Sequence, residues 1–220
     1  MDTRCDTASV TGNPFDKALT GEDELRAIYG EPMQRALKKD VAALDEMCRR
    51  LIAASPMVLV ASYSADGRCD VTPRGGPPGF TSVLDDRRLA IPDATGNRRL
   101  DTLTNIVATG RAGLIFLIPG RDTTLRVNGP ACVTDDPDLI SELSAVGKPP
   151  RTAIVVEAEE AYAHCPKAFV RSKLWDPATW PAAEDLPSPA EVSLAHSRDP
   201  ELTLEQVERQ QRDALLHRLD

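Results

Sequence analysis

Met57-Val58-Leu59-Val60-Ala61, the turn Ala65-Asp66-Gly67, and the return run Cys69-Asp70-Val71-Thr72-Pro73-Arg74 form the stretch that decides the fold. The first run is short, apolar and made of strand-forming residues, and Asp-Gly is a strong hairpin signal. The return run alternates with period 2. Asp70, Thr72 and Arg74 fall on one face, and Cys69, Val71 and Pro73 on the other. Gly75-Gly76-Pro77-Pro78-Gly79 then breaks the chain.

The same signals recur downstream. Residues 80–84 and 88–91 flank Asp85-Asp86 as a second hairpin. After a loop at 92–97, a helix fits about 99–108, with Leu100, Leu103, Ile106 and Val107 on an arc of roughly 120°. Residues 112–118 read as a buried strand, and 123–133 as its partner. There Leu125, Val127, Ala131 and Val133 face one way, and Thr124, Arg126 and Asn128 the other. A short helix fits 137–146 and a strand 153–156. Upstream, 22–29 reads as a helix ending at Gly30. Residues 40–54 read as another, with Val41, Leu44, Met47, Cys48, Leu51 and Ile52 on an arc of roughly 140°. Hairpins dominate and connections are too short for repeated βαβ units, so the expected fold is an antiparallel barrel with helical attachments.

The ends are different in composition. Residues 1–20 read as a flexible leader, and 21–175 as the barrel domain with its N-terminal helices. In 176–220, Pro177, Pro181, Pro187, Pro189 and Pro200 read as a linker or extended wrap before a final helix over 203–219. That last segment is expected to pack on the barrel or on a dimer partner.

Composition removes several classes of function. The 220 residues carry 26 Lys and Arg against 34 Asp and Glu, a formal charge of −8. That balance argues against general nucleic-acid binding, which needs cations to displace counterions. The five cysteines, Cys5, Cys48, Cys69, Cys132 and Cys165, form no C-x-x-C pair. Free thiols in a reducing cytoplasm are expected, rather than a zinc site or disulfide framework. Residues 1–24 show no apolar signal core, and runs such as Leu114–Ile118 are too short to span a bilayer, so no membrane partner is expected. There is no nucleophile elbow, phosphate loop or G-x-G-x-x-G. His164, His196 and His217 lack metal-ligand spacing, and no metal is expected.

What remains is arginine beside glycine. Arg74 ends a strand at Gly75-Gly76, Asn97-Arg98-Arg99 follows Gly96 just ahead of a helix, and Arg126 interrupts an apolar strand. A helix N-terminus favours an anion, and guanidinium grips phosphate through a bidentate fork. The competing reading pairs these arginines with Asp70, Asp93 and Asp101.

These residues stand in ordered blocks. They are Asp66-Gly67-Arg68 with Asp70-Val71-Thr72-Pro73-Arg74-Gly75, Ile91-Pro92-Asp93 with Gly96-Asn97-Arg98-Arg99-Leu100-Asp101, and Leu125-Arg126-Val127-Asn128-Gly129-Pro130. His164-Cys165-Pro166-Lys167-Ala168-Phe169-Val170-Arg171-Ser172-Lys173-Leu174-Trp175 is the last. Over roughly residues 25–217 the chain resembles the FMN-dependent enzymes related to pyridoxamine 5′-phosphate oxidase. The resemblance implies an α+β, mainly β fold: an antiparallel, Greek-key-like FMN-binding split β-barrel with peripheral helices, assembled as a homodimer with FMN in each of two subunit interfaces. By position it implies that Thr72 and Arg74 line the flavin side chain, and that Asn97, Arg98 and Arg99 grip its phosphate. Thr124, Arg126 and Asn128 would face the cofactor, and Lys167, Arg171, Ser172 and Trp175 would reach the neighbouring site. Arg98 is charged where the family pattern leads one to expect an uncharged residue.

The family's C-terminal substrate motif, a Trp followed by an Arg-Leu pair closing the chain, is not recognisable, so vitamin B6 oxidation is not carried over. The implied activity is that of an FMN-dependent oxidoreductase acting on a small-molecule substrate, with a nicotinamide cofactor as one donor and no catalytic side chain assigned. Two alternatives stay open: a non-catalytic flavin or haem binding module of the same fold, and a deazaflavin-dependent reductase. For single residues the plainer readings also stand: Trp175 as a plug in a dimer core, Gly75, Gly76 and Gly79 as turn formers, and Cys165 as a buried small hydrophobe.

Overall fold

The computed structural model describes residues 17–34, 41–93, 96, 98–143 and 149–217. It divides into two compact units, 1–39 and 40–220. Within the first, α1 (Glu22–Tyr29) runs from Gly21 to Gly30, where φ is +70°. It buries no residue and carries an i,i+4 pair of Arg26 with Glu22 at 3.0 Å. Most of the expected leader lies outside the described residues.

The second unit is built on eight strands: β1 (Met57–Tyr63), β2 (Cys69–Gly75), β3 (Ser82–Val83), β4 (Arg88–Asp93), β5 (Arg111–Leu117), β6 (Leu125–Thr134), β7 (Thr152–Glu157) and β8 (Glu160–Ala163). Their order is β2-β1-β5-β6-β7-β4-β3, with β8 also on β6, and every pairing is antiparallel. The fold is of the expected class, a curled antiparallel half-barrel with helices, mainly β.

One strand joins the two halves of the sheet. The first part of β6 pairs with β5 and β8, and Ala131–Thr134 pairs with β7 instead. At the change-over stands Gly129. A Cβ placed there would lie 1.9 Å from the Glu157 carbonyl oxygen, so the β7–β8 turn closes against bare backbone. The Glu159 N–H completes the contact by donating to the Asn128 carbonyl at 3.0 Å.

Alternation along these strands makes the main core. Val58 and Val60, Leu114 and Phe116, Leu125 and Val127, Leu89 and Ile91, and Ile154 and Val156 are all buried in a single cluster. Helix α2 (Glu46–Ala54) adds Cys48 and Ile52, Leu44 joins from just ahead of it, and α3 (Asp101–Thr109) adds Ile106. Burial pushes the Cys48 thiol pKa up to about 11. Cys69, Cys132 and Cys165 are exposed free thiols, so Cys165 is not the buried hydrophobe expected.

Three expectations are corrected. Helix α2 starts after Asp45, not at residue 40. The Asp45 side chain accepts the Cys48 N–H in extended N-cap geometry, and Val41 is drawn into a bridge with Ala161. Helix α3 starts at Asp101 because Arg98 and Leu100 are both left-handed, each with φ +62°. Residues 176–200 are not only an extended wrap. They hold two short 3₁₀ turns and helix α6 (Pro189–Ser197). Pro189 occupies its first turn, where a missing N–H costs nothing, and Ser188 with Glu191 closes a capping box. Between α3 and α6 lie α4 (Pro137–Glu142) and α5 (Lys167–Ser172), and α7 (Leu204–His217) ends the described chain. Gln211 of α7 donates to the Pro189 carbonyl and the Ser193 hydroxyl. No helix among the described residues is long and apolar enough to cross a membrane.

Candidate functional site

Strand β2 is an edge strand with its polarity turned inside out. Asp70, Thr72 and Arg74 are half-buried, whereas Val71 is 63% exposed. The period-2 faces are those expected, and the polar face is the one turned inward because it lines a cleft of about 800 Å³. The far wall is the end of β4 with Asp93, then Arg98 to Leu103, then Arg151 and Thr152 at the head of β7.

Within this cleft Arg74 is held on several sides. It donates to the Asp93 carboxylate at 3.2 Å, the Thr72 hydroxyl at 3.0 Å and the Pro73 carbonyl at 3.1 Å. Burial raises the Asp93 pKa above the ordinary aspartate value, against the lowering pull of Arg74. Asp70 accepts from the Thr102 hydroxyl at 2.7 Å, which ties β2 to the first turn of α3. Arg99 donates to Asp101 at 2.8 Å. Two of the pairings that competed with an anion site are therefore made.

Among the described residues no side chain caps the N-terminus of α3, where Leu100 is the N-cap. Its first N–H groups have no intrahelical carbonyl to meet, and they carry the positive end of the helix dipole. Left-handed φ at two bulky residues flanking Arg99 is costly backbone, of the kind that persists where a site needs it. Uncapped amides and guanidiniums in one cleft are the donor set an oxyanion of phosphate requires.

The other expected residues are placed elsewhere. Asn97 lies outside the described residues. Asn128 lines a second cleft, of about 870 Å³, with Asp70, Arg111 and Glu160, and donates to Glu160 at 3.0 Å. Arg111 is ion-paired with Glu159 there. Arg126 donates to the Tyr162 hydroxyl at 2.9 Å and lies over that ring, 5.6 Å from its centre. Thr124 is buried just ahead of β6, its carbonyl accepting the His164 N–H. Lys167, Arg171 and Ser172 are exposed on α5. Trp175 donates to the Arg121 carbonyl at 2.9 Å and stacks on Phe169. So Thr72, Arg74, Arg98 and Arg99 share the arginine cleft, and Thr124, Arg126, Asn128, Lys167, Arg171, Ser172 and Trp175 do not line it.

Sequence reasoning missed Arg151. It follows Pro149-Pro150 with no motif around it, and only the β4–β7 register brings it to the cleft. Among the described residues no group of three or more His, Cys, Asp or Glu side chains could hold a metal ion.

Comparison with known proteins adds the lineage. The family described as pyridoxamine 5′-phosphate oxidase matches residues 44–165, more than half of the chain. No curated protein matches. Solved structures with partial likeness include Group A Streptococcus HupZ, at 17% identity and TM-score 0.45 over 54% of this chain and 92% of that one. An FMN-binding protein from Syntrophomonas wolfei is 13% identical, with TM-score 0.40 over 66% of this chain and 97% of that one. Neither likeness is high enough to bear on function.

Proposed function

This chain belongs to the pyridoxamine 5′-phosphate oxidase family, and from that premise we propose that it binds FMN, with the phosphate in the arginine cleft, as a redox protein. The observation that carries this reading is the cleft itself. Arg98 and Arg99 stand at the uncapped start of α3, and Arg74 faces them from β2. Those residues fit a phosphorylated ligand better than a neutral one, because helix N-terminal amides and guanidiniums are donors that an anion satisfies.

FMN when bound supplies the hydride and electron chemistry. The chain's part is to hold and orient. Arg98 and Arg99 would grip the phosphate, Thr72 would offer its hydroxyl beside the flavin side chain, and Arg74 would keep Asp93 from repelling the anion. No side chain is needed as an acid or base.

A second copy of the chain completes the reading. Aromatic residues are only 4% of the sequence, so one subunit offers few rings to a flat cofactor. Arg126, Lys167, Arg171, Ser172 and Trp175 do not line the arginine cleft of their own subunit. In a twofold homodimer they would meet the partner's flavin. We expect one FMN per chain on reconstitution, seen as flavin absorbance that survives gel filtration, and twice the chain mass by light scattering. Retention of haem or a deazaflavin in place of FMN would reject the FMN assignment. A monomer holding FMN at full occupancy would reject the shared site. Reduction of the bound flavin by a nicotinamide cofactor, with turnover by an acceptor, separates an oxidoreductase from a carrier.

A further inference from the structure

We propose that Arg151 is a ligand-selecting residue: with Arg98 it binds the terminal phosphate and makes the cleft prefer phosphorylated over unphosphorylated flavin. This rests on the flavin reading above and extends it to a residue outside the motifs that suggested it. The cleft holds four guanidiniums, and they are not equivalent. Arg74 is committed to Asp93 and Thr72, and Arg99 to Asp101. Arg98 and Arg151 have no hydrogen-bond or ion-pair partner among the described residues.

Register explains how two residues so far apart in sequence share a wall. Asp93 pairs with Thr152 at the end of the β4–β7 ladder. Arg151 is one step beyond, at the end of the sheet where the chain leaves β4 towards Arg98. The cleft's own carboxylates are engaged elsewhere, Asp93 with Arg74, Asp101 with Arg99 and Asp70 with Thr102, and 94–97 and 144–150 contain no further Asp or Glu. Two guanidiniums in one cleft repel each other, and a shared anion reverses that cost. A phosphate monoester carries close to two negative charges at neutral pH and three acceptor oxygens, enough for both forks at once. A carboxylate would balance only one. The left-handed backbone at Arg98 is a further cost that such a contact offsets.

The test is titration of FMN and of riboflavin into the full-length protein, wild type and Arg151→Ala, Arg151→Lys and Arg98→Ala. Flavin fluorescence is the readout, with thermal unfolding to verify the fold. Arg151 is exposed, so its replacement should leave the core intact. Arg151→Ala should weaken FMN about ten- to hundredfold, the scale of charge-assisted hydrogen bonds. Riboflavin should change by less than about twofold, and Arg151→Lys should recover part of the FMN loss. If wild type binds FMN and Arg151→Ala binds it equally well, or loses both flavins equally, this inference falls while the flavin reading stands. If wild type binds neither flavin, the flavin reading falls. In that case a phosphate-induced rise in melting temperature, abolished in Arg151→Ala, is the result that keeps the two-arginine anion site. A change of oligomeric mass in Arg151→Ala without loss of FMN would mean that its partner is a carboxylate of another subunit, and would overturn the proposal.

Discussion

At Asp93 two opposed effects meet on one carboxyl group. Burial disfavours its charge, and the Arg74 guanidinium favours it, with burial the larger. A carboxyl whose folded pKa is raised contributes stability that is full below the ordinary aspartate pKa, about 3.9. That contribution is lost as pH rises through the raised value, because the folded state then binds more protons than the unfolded one. Replacing Asp93 with Asn fixes the neutral form. We expect the wild-type unfolding free energy, measured in urea at a series of pH values, to fall relative to Asp93→Asn across that window. Parallel curves would show that Asp93 titrates as in the unfolded chain. Much at this scale was legible in the sequence: Thr72, Arg74, Arg98 and Arg99 do share a cleft. Which arginines keep their charge unspent was not legible. The Arg74–Asp93 pair joins residues that meet only when β2 and the end of β4 close on one cleft, and Arg151 arrives by strand register. The Arg99–Asp101 pair is local and was among the expected pairings, but at 75% and 50% side-chain exposure it contributes little to stability.

Among the elements, β6 depends most on a single residue. Its bend brings the Glu157 carbonyl where a side chain at 129 would be. Gly129→Ala must displace backbone on one strand or the other, so a loss of about 3 kcal/mol is expected in urea unfolding. A variant as stable as wild type would mean that the β7–β8 turn moves aside freely. Periodicity and punctuation made α1 and most strands legible, because their signals are local. The start of α2 was not, since helical spacing continues back through Asp45 to Val41. There a long-range bridge to Ala161 competes with the helix and wins. Nor was α6, because proline was read as a breaker where it serves as a first-turn residue.

For the whole molecule, the main core spans Leu44 to Ala161, nearly the stretch matched to the family. The two sets of strands on either side of β6 suggest two parts, but the strand is common to both. Neither half can shed its hydrogen bonds to β6 without exposing a row of amides in the other. Amide protons of β6 should therefore exchange with solvent deuterium only through global unfolding, with a protection free energy equal to that from denaturant melts. Those of α1, which buries nothing, should exchange orders of magnitude sooner. Exchange at Ala131–Thr134 markedly faster than at Leu125–Asn128 would reveal two halves that open one at a time. Slow exchange at every amide of the strand, Pro130 having none, would mark it as the clasp through which the curled sheet opens and closes as a single unit.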